Sequence, residues 1–310
     1  MISLALVGFG KWGKNYIKAA EETGLAKVTT LVLQKDSEKW QDAATNSFKC
    51  TSDLDDLDSL GVDAAIVALH PSQHAFVCCE LLDRKIPTMV EKPLALGLKD
   101  ALQIEAAVAK AGVPFMVNHQ HLSTYAYLEI IRRIEDEEIT EIVTQAGNYG
   151  PFRDYSALWD YGPHDLSMIL ELMRSSPQVV VANHQPQNLG ERYAFELAFK
   201  GGVKSKSVIW NGSLPKARSL EIKTKTNRYL YDDLNSESKL IINGELAAVM
   251  YKAPLTLSIE KFIKLIKMEK DLNTPNSRNQ LKFMDAELKV VKLLEEIQSL
   301  SKKNKDHEVT

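Results

Sequence analysis

The stretch LALVGFGKWG, residues 4–13, decides the fold of the first part of this chain. An apolar run typical of a buried strand ends at Gly8, and Gly8, Gly10 and Gly13 then form the spacing G-x-G-x-x-G directly before a helical pattern. In such a unit the first glycine allows a tight turn, the second lets a pyrophosphate approach the backbone, and the third permits close helix packing. The stretch therefore predicts a dinucleotide site, and its alternative interpretation is a tight turn without a ligand.

Residues 1–120 continue this pattern by alternating short β-rich runs with helical stretches. The runs AAIVAL at 64–69 and FMV at 115–117 are nearly all apolar, as expected for strands that helices cover on both faces. Strand and helix in alternation indicate a parallel sheet. We expect residues 1–120 to form a Rossmann dinucleotide-binding domain.

Beyond this point the pattern changes to longer alternating stretches. In ERYAFELAFK, residues 191–200, every second side chain is apolar, which predicts a strand with one buried face. Similar stretches with turn signals between them follow, and residues 277–302 have a helical pattern. The sequence thus predicts an α+β domain over residues 121–310, built on a largely antiparallel open sheet and ending in a helix at about 277–302.

Composition excludes several classes of function. The 310 residues carry a net charge of −3 without a basic stripe, so we expect no nucleic-acid partner. No apolar run approaches membrane-spanning length, and the first residues lack the pattern of an export signal. Cys50, Cys78 and Cys79 are too few for a disulfide framework or a zinc cluster. We expect a cytoplasmic protein with reduced thiols, without a membrane partner.

The choice between NAD and NADP depends on the end of the second strand. An acid that binds the ribose is expected about 20 residues past the glycine turn, but Gln34 stands there. Lys35 can meet a 2′-phosphate or can be a solvated loop charge, while Asp36 can cap the helix that begins at SEKWQDA. The sequence predicts NAD(P) and favours NADP.

Three motifs in chain order resemble those of the Gfo/Idh/MocA oxidoreductases, named for glucose-fructose oxidoreductase, inositol dehydrogenase and a rhizopine catabolism protein. They are G-x-G-x-x-G at residues 8–13, E-K-P at 91–93, and D-x-G-x-H-D at 160–165. The resemblance extends to DAAIVALHPSQHAFVCCELL and to VNHQ. The chain departs from the family at Gln34, where an acid is common, and near His70, where a threonine is common.

The resemblance implies a set of site residues in each domain. The cofactor would contact the glycine-rich turn and the ends of later strands, namely Gly8, Phe9, Gly10, Lys11, Trp12, Gly13, Gln34, Lys35, Leu69, His70, Pro71, His74, Glu91, Lys92 and Asn118. Catalysis would fall to Lys92, Asp160 and His164 around the carbon that exchanges hydride with the nicotinamide.

Chemistry supports those catalytic roles. When hydride leaves an alcohol carbon, a proton must leave its oxygen, and a histidine titrates closest to neutral pH. His164 is the favoured proton carrier, Lys92 can polarise the same oxygen or share the proton, and Asp160 can orient His164 or bind a neighbouring hydroxyl. Because Lys92 can supply the positive charge, no metal is expected.

Each motif also has a structural alternative. In LWDYGPHD, residues 158–165, Pro163 fits the first position of a helix and Asp165 can stabilise its first turn. Lys92 can be a surface charge, Asp160 a turn residue and His164 a helix-start histidine. His119 and His121 can line a cleft or simply lie in the crossover. The aromatic residues beside the motif can pack against sugar or form ordinary core; they are Tyr149, Phe152, Tyr155, Trp159 and Tyr161.

Together these observations predict an enzyme that transfers hydride between NAD(P) and a ring hydroxyl or keto group of a sugar, sugar nucleotide or polyol. The open sheet favours a homodimer or homotetramer. One alternative is a reductase of another carbonyl or imine. The other is a dinucleotide-binding regulator of the same fold that has lost turnover.

Overall fold

The apolar runs of the first 120 residues form a six-stranded parallel sheet in the computed structural model, which describes residues 1–35, 37–45, 48–212, 214–272 and 277–307. The strand order is β3-β2-β1-β4-β5-β6, and every neighbouring pair is parallel. The strands are β1 (Ile2–Val7), β2 (Ala26–Val32), β3 (Lys49–Thr51), β4 (Ala64–Val67), β5 (Thr88–Glu91) and β6 (Phe115–Asn118). This order is that of the Rossmann fold, so the predicted fold class is confirmed for this part of the chain.

Four helices connect these strands, and local sequence explains where they begin and end. They are α1 (Gly13–Glu22), α2 (Glu38–Thr45), α3 (His74–Asp83) and α4 (Leu98–Ala111). The last of them has Asp100 in its first turn and Lys110 in its last, as the helix dipole favours, and it ends at Gly112 with a φ of 68°. Ser37 caps α2, since its hydroxyl accepts a hydrogen bond from the Trp40 N–H at 3.2 Å.

The described chain divides into two compact units. Unit 1 comprises Met1–Gln120 and Ala253–Leu288, and unit 2 comprises His121–Lys252 and Lys289–Thr310. A single division after residue 120 would leave residues 253–288 with the second domain, so the units differ from the sequence prediction in this segment.

Helix α7 (Pro254–Leu272) explains that difference. Its apolar face belongs to the same buried cluster as Leu4, Tyr16 and Leu31 of the Rossmann sheet and α1, and it contributes Leu255, Ile259, Phe262, Ile263 and Ile266. The Thr256 hydroxyl also donates to the Glu22 carboxylate at 2.8 Å. Packing that is distant in sequence therefore decides where this helix belongs.

Unit 2 is built on an eight-stranded sheet of order β14-β13-β12-β11-β7-β10-β9-β8. Among the strand pairs of this sheet that the structure describes, only β7–β10 is parallel, so the prediction of a largely antiparallel sheet is confirmed. The strands are β7 (Ile139–Asn148), β8 (Gln178–Pro186), β9 (Glu191–Ala198), β10 (Lys204–Asn211), β11 (Ala217–Thr224), β12 (Arg228–Asp232), β13 (Leu240–Ile242) and β14 (Glu245–Leu246).

Helices α5 (Tyr125–Arg133) and α6 (Ala157–Met173) lie in unit 2, and α8 (Ser277–His307) belongs to unit 1 up to Leu288 and to unit 2 from Lys289. Tyr193, Phe195 and Leu197 of β9 are buried, as their alternation predicts, and α6 contacts β7, β9 and β10. Helix α8 continues five residues beyond the predicted end at Lys302, because the polar run that follows contains neither glycine nor proline. Across the described ranges, no helix combines the length and apolarity that crossing a bilayer requires.

The start of α6 corrects one local prediction. Pro163 lies inside the helix rather than at its first position, because the helix already begins at Ala157. Ser156 occupies the N-cap position, and the Glu191 carboxylate of β9 accepts the Ala157 N–H at 2.6 Å. Nearly all residues from Leu158 to Leu170 are buried, so tertiary packing outweighs the cost of an internal proline.

The placement of α7 in the core of unit 1 is testable by truncation. Phe262 on α7 is 0% exposed, whereas Phe76 on α3 is 70% exposed. Phe262→Ala should lower the free energy of unfolding by about 3–5 kcal/mol, because it leaves a cavity. Phe76→Ala should change it by less than about 0.5 kcal/mol. Urea denaturation of both variants measures the difference, and equal effects would contradict the assignment of α7.

Candidate active site

The glycine-rich turn follows β1 at the edge where the parallel strands end. Gly8 has a φ of 100°, and a Cβ there would lie 2.6 Å from the Ala68 carbonyl oxygen. A Cβ on Gly13 would collide with the carbonyl oxygen of Gly8, whereas one on Gly10 would meet no atom within 4 Å. Gly8 and Gly13 are thus required by the fold of the turn, while Gly10 leaves open space of the kind a pyrophosphate needs.

The remaining side chains of this turn differ in exposure. Phe9 is buried and lies under the Lys14 ammonium, whose Nζ is 4.9 Å from the centre of the ring. Lys11 is exposed, and Trp12 is 44% exposed. A helix begins at Gly13, and the N-terminus of a helix favours an anion.

The loop after β4 lies beside this turn and is held by a histidine. The side chain of Leu69 approaches Gly8, and Pro71 begins a 3₁₀ turn that the His70 side chain caps by accepting from the Ser72 N–H. His74 is fully buried, with Nε2 3.2 Å from the Leu69 carbonyl and Nδ1 3.0 Å from the Pro93 carbonyl. Burial lowers the pKa of His74, and the hydrogen bonds to backbone carbonyls oppose that shift. His74 therefore ties the loop after β4 to the loop after β5.

Glu91, the last residue of β5, is the centre of a buried hydrogen-bond network. One oxygen, Oε1, accepts from Trp12 Nε1 at 2.6 Å, from Asn118 Nδ2 at 2.9 Å and from the Tyr16 hydroxyl. The other, Oε2, accepts from the backbone N–H of Lys92 at 3.2 Å. Burial and the Glu91 charge raise the pKa of Tyr16 well above its usual value. The structure thus brings together Trp12, Glu91 and Asn118, three of the predicted cofactor residues.

Lys92 and the end of β2 complete the unit 1 part of the site. Lys92 is half-buried and precedes Pro93 through a cis peptide bond. Gln34 and Lys35 are both exposed just beyond β2, where a dinucleotide ribose is expected. Asp36, the other side chain considered for this position, lies outside the described residues.

The D-x-G-x-H-D motif lies in unit 2, on the first two turns of α6. Asp160 and His164 are both buried, and their spacing of four residues places them on one face of the helix. Arg153 approaches Asp160, with its Nε 3.8 Å from Oδ2. Gly162 has a packing reason for its identity, because a Cβ there would lie 2.8 Å from Leu294 of α8.

Asp165 is not a helix cap, which corrects the capping hypothesis. It is completely buried, and its Oδ1 accepts from Arg218 Nη1 of β11 at 2.9 Å. Burial raises the pKa of Asp165 to about 6, and the neighbouring Arg218 charge opposes the shift. The pair connects α6 to the sheet, since a buried charge needs a partner of opposite sign.

The His164 ring contacts a second buried histidine, His121, which is itself bonded to a tyrosine. The His121 ring meets the His164 ring edge to face, with centroids 4.8 Å apart. His121 Nδ1 lies 2.9 Å from the Tyr231 hydroxyl, which donates to Asp233 at 3.2 Å. Burial is the largest cause that raises the pKa of Tyr231. His121 thus joins His164 of the motif to Tyr231 of β12.

His119 has a different environment, although it is two residues away. It is buried in unit 1, and its Nε2 lies 2.9 Å from the Glu287 carboxylate. It therefore forms a buried pair with α8 within that unit.

The aromatic residues beside the motif separate into two groups. Trp159 is core, with its Nε1 bonded to Gln298 Oε1 at 3.0 Å. Tyr161 is half-buried with the Arg218 guanidinium 5.4 Å from its ring centre. Tyr155 is half-buried as well, while Tyr149 and Phe152 are exposed. Only part of this cluster is available to a ligand.

Sequence reasoning missed three side chains of these networks: Tyr16, Arg218 and Tyr231. Tyr16 follows Gly13 by one helical turn and can be found once α1 is placed beside β5. Arg218 and Tyr231 lie in strands far from the motif, and nothing local marks them. Among the described residues, no group of three or more His, Cys, Asp and Glu side chains is arranged to hold a metal ion.

Comparisons with known proteins agree with the Rossmann fold of the first 120 residues. Residues 2–119 match the family model GFO_IDH_MocA, described as an oxidoreductase family with an NAD-binding Rossmann fold. The chain is 37% identical over 110 residues to inositol 2-dehydrogenase 2 of Paenarthrobacter aurescens (strain TC1). That alignment covers 35% of this chain and 33% of the relative, so the chain matches about a third of the relative's length.

Solved structures share the fold over almost the whole chain. An aldose-aldose oxidoreductase from Caulobacter crescentus superposes with a TM-score of 0.81 at 17% identity, covering 98% of each chain. A UDP-N-acetylglucosamine 3-dehydrogenase from Acidithiobacillus ferrooxidans gives a TM-score of 0.80 at 15% identity, covering 96% of this chain and 97% of that one. At these identities the likeness establishes the fold.

A Rossmann domain with a glycine-rich turn and a second unit built on a mostly antiparallel sheet define the fold class of the chain. The family model matches residues 2–119, in agreement with the family predicted from the motifs.

The glycine turn generates a prediction that separates folding from binding. Gly8→Ala should lower the free energy of unfolding by about 1–3 kcal/mol, because its φ and the Ala68 carbonyl both exclude a Cβ. Gly10→Ala should leave stability within about 0.5 kcal/mol, because a Cβ meets open space, yet weaken dinucleotide binding about tenfold. Thermal unfolding and fluorescence titration with reduced dinucleotide measure both effects. A Gly10→Ala variant with full affinity would contradict the phosphate-binding role.

Proposed function

We propose that this chain is an NAD(P)-dependent oxidoreductase that transfers hydride between the nicotinamide and a ring hydroxyl or keto group of a sugar, sugar nucleotide or polyol. The observation that carries the proposal is the pairing of an NAD-binding domain with Asp160 and His164, both buried on one face of α6. In unit 1 the same family pattern supplies Lys92 at the end of β5.

The residues of unit 1 fit a dinucleotide. The turn at Gly8–Gly13 lies where β1 and β4 end, at the switch point of the sheet, and Gly10 leaves room for phosphates. The exposed side chains of Gln34 and Lys35 would meet the adenosine ribose or its 2′-phosphate. When bound, the nicotinamide accepts or delivers the hydride at C4. His70, Glu91 and Asn118 also belong to the proposed cofactor site.

Proton handling would fall to the chain itself. As an alcohol carbon loses hydride, His164 would take the proton of its hydroxyl, leaving a neutral carbonyl group. The Lys92 ammonium would stabilise the negative charge that develops on the oxygen. Asp160, whose position Arg153 supports at 3.8 Å, would hold a neighbouring hydroxyl or orient the imidazole. In the reverse direction His164 would return the proton as the carbonyl carbon gains hydride.

The substrate class rests on the relatives. By name, the similar proteins act on inositol, aldoses and a UDP-linked amino sugar. All three contain rings with several hydroxyl groups, so a polyhydroxylated ring is the proposed substrate. A homodimer or homotetramer and a cytoplasmic location complete the proposal. The first is supported by the open sheet of unit 2, which ends at the edge strands β14 and β8.

Removing the Lys92 ammonium tests the catalytic assignment. Lys92→Ala should lower kcat about 10²–10⁴-fold, because the oxygen loses its electrostatic stabilisation. The Kd for the dinucleotide should stay within about threefold of the wild-type value. Absorbance of the reduced nicotinamide across a panel of sugars, sugar nucleotides and polyols gives kcat. Lys110→Ala is the matched control, since Lys110 pairs with Asp83 at the surface 2.8 Å away.

Two results would contradict the proposal. An unchanged kcat in Lys92→Ala would remove Lys92 from the reaction. A wild-type protein that binds dinucleotide but turns over no member of the panel would favour the regulatory alternative.

The preference for NADP has its own test. Lys35→Ala should weaken NADP binding about tenfold, because a cation beside the 2′-phosphate is lost, and leave NAD binding unchanged. Lys39→Ala, which removes another exposed lysine four residues along the chain, should change neither affinity. Fluorescence titrations with both reduced cofactors measure the ratio. Equal losses for NAD and NADP in Lys35→Ala would refute the preference.

A further inference from the structure

The carboxylate of Glu91 accepts hydrogen bonds from four donors within unit 1. Three of them, Trp12 Nε1, the Tyr16 hydroxyl and Asn118 Nδ2, converge on Oε1, and the Lys92 N–H reaches Oε2. Asn118 Nδ2 also donates to the Tyr16 hydroxyl oxygen at 2.8 Å, which fixes the Tyr16 proton toward Glu91. Glu91 is buried, so these donors replace the water that an exposed carboxylate would have.

An ionised carboxylate is the group this arrangement requires. All four partners donate, and a carboxylate offers acceptor positions on both oxygens. A glutamine in the same place would have one oxygen and one NH₂ group. Its NH₂ would then face either the Lys92 N–H or the three donors on the other side, leaving a buried donor without an acceptor. The substitution Glu91→Gln therefore changes little in shape but breaks at least one bond of the network.

The four donors come from segments with different roles. Trp12 lies inside the glycine-rich turn, between Gly10 and Gly13, and Tyr16 lies one turn into α1. Asn118 ends β6, and the Lys92 backbone follows β5 directly. A single side chain thus joins the turn that would hold the dinucleotide phosphates to the peptide that carries the proposed catalytic lysine.

We infer that Glu91 is a positioning residue that couples the glycine-rich turn to Lys92, with the Trp12 indole as the link between them. The Glu91 carboxylate accepts its hydrogen bonds from protein donors, and these bonds fix the position of the glycine-rich turn relative to Lys92. Breaking these bonds would shift both the backbone of the glycine-rich turn and the Lys92 side chain. The catalytic half of this inference rests on the proposed role of Lys92, whereas the binding half depends only on the dinucleotide site.

Unit 2 supplies a matched control for the carboxylate. Glu137 also accepts from four side chains, with bonds from the Tyr229 hydroxyl at 2.6 Å and Asn227 Nδ2 at 2.9 Å and further bonds from Thr224 and Thr226. This cluster holds the turn between β11 and β12 and contains no proposed site residue. Glu137→Gln likewise removes a carboxylate that accepts from four donors, at a half-buried position that contains no proposed site residue.

The experiment combines Glu91→Gln, Trp12→Phe and the double variant in the full chain. Glu91→Gln should lower kcat at least about tenfold with the KM for the sugar within about threefold, and weaken dinucleotide binding about tenfold. Trp12→Phe should give smaller losses on the same two quantities. Because both changes break one network, the double variant should lose no more than Glu91→Gln alone. Glu137→Gln should leave kcat and dinucleotide Kd unchanged.

Several outcomes would overturn the inference. Additive losses in the double variant would mean that Trp12 and Glu91 act separately. Wild-type dinucleotide affinity in Glu91→Gln would mean that the turn does not depend on the carboxylate. If Glu91→Gln does not fold, Tyr16→Phe and Trp12→Phe decide, with Tyr229→Phe as the control for loss of a hydroxyl bonded to a carboxylate.

The binding readout also keeps the two proposals apart. If the wild-type protein reduces or oxidises no substrate, the proposed function fails, while the dinucleotide Kd values of the variants still decide the coupling. If the wild-type protein is active and the variants bind dinucleotide normally, the coupling fails and the proposed function stands.

Discussion

The constraint on which the rest of the structure depends is that all six strands of the Rossmann sheet run in one direction. Their carboxyl ends therefore lie at one edge of the sheet, and the residues that follow adjacent strands lie side by side there. The glycine turn after β1, the Leu69 loop after β4, Glu91 at the end of β5 and Asn118 at the end of β6 all lie on this edge. Strand direction therefore places these residues together at the edge where open parallel sheets bind ligands.

In unit 2 the corresponding constraint is that α6 carries ionisable side chains within a buried helix. The motif residues of α6 lie in a helix buried nearly all round, so each ionisable group needs a defined environment. Asp165 and Arg218 solve this as a buried pair, and the pair fixes the helix on the sheet. Asp160 keeps Arg153 nearby at 3.8 Å. The two acids of the motif are therefore held beside arginine side chains of opposite charge.

Local signals predicted the elements, and distant contacts decided what those signals left open. Strand and helix periods and the glycine spacing predicted the Rossmann sheet and the face of β9. The start of α6 was misplaced, because its terminal N–H is satisfied by Glu191, 34 residues away. Arg218 is 53 residues from Asp165, so no pattern near the motif announces it. The motif residues themselves were predicted by family resemblance, and their joint action on a substrate stays a prediction.

The three glycines of the turn also differ in what natural selection can do with them. At Gly8 and Gly13 the surrounding backbone excludes a side chain, whereas at Gly10 only an approaching ligand would do so. In a lineage that abandoned nucleotides, Gly10 would be free to drift while the other two stayed fixed. The substitutions at these three sites in related sequences would therefore indicate whether nucleotide binding has been retained.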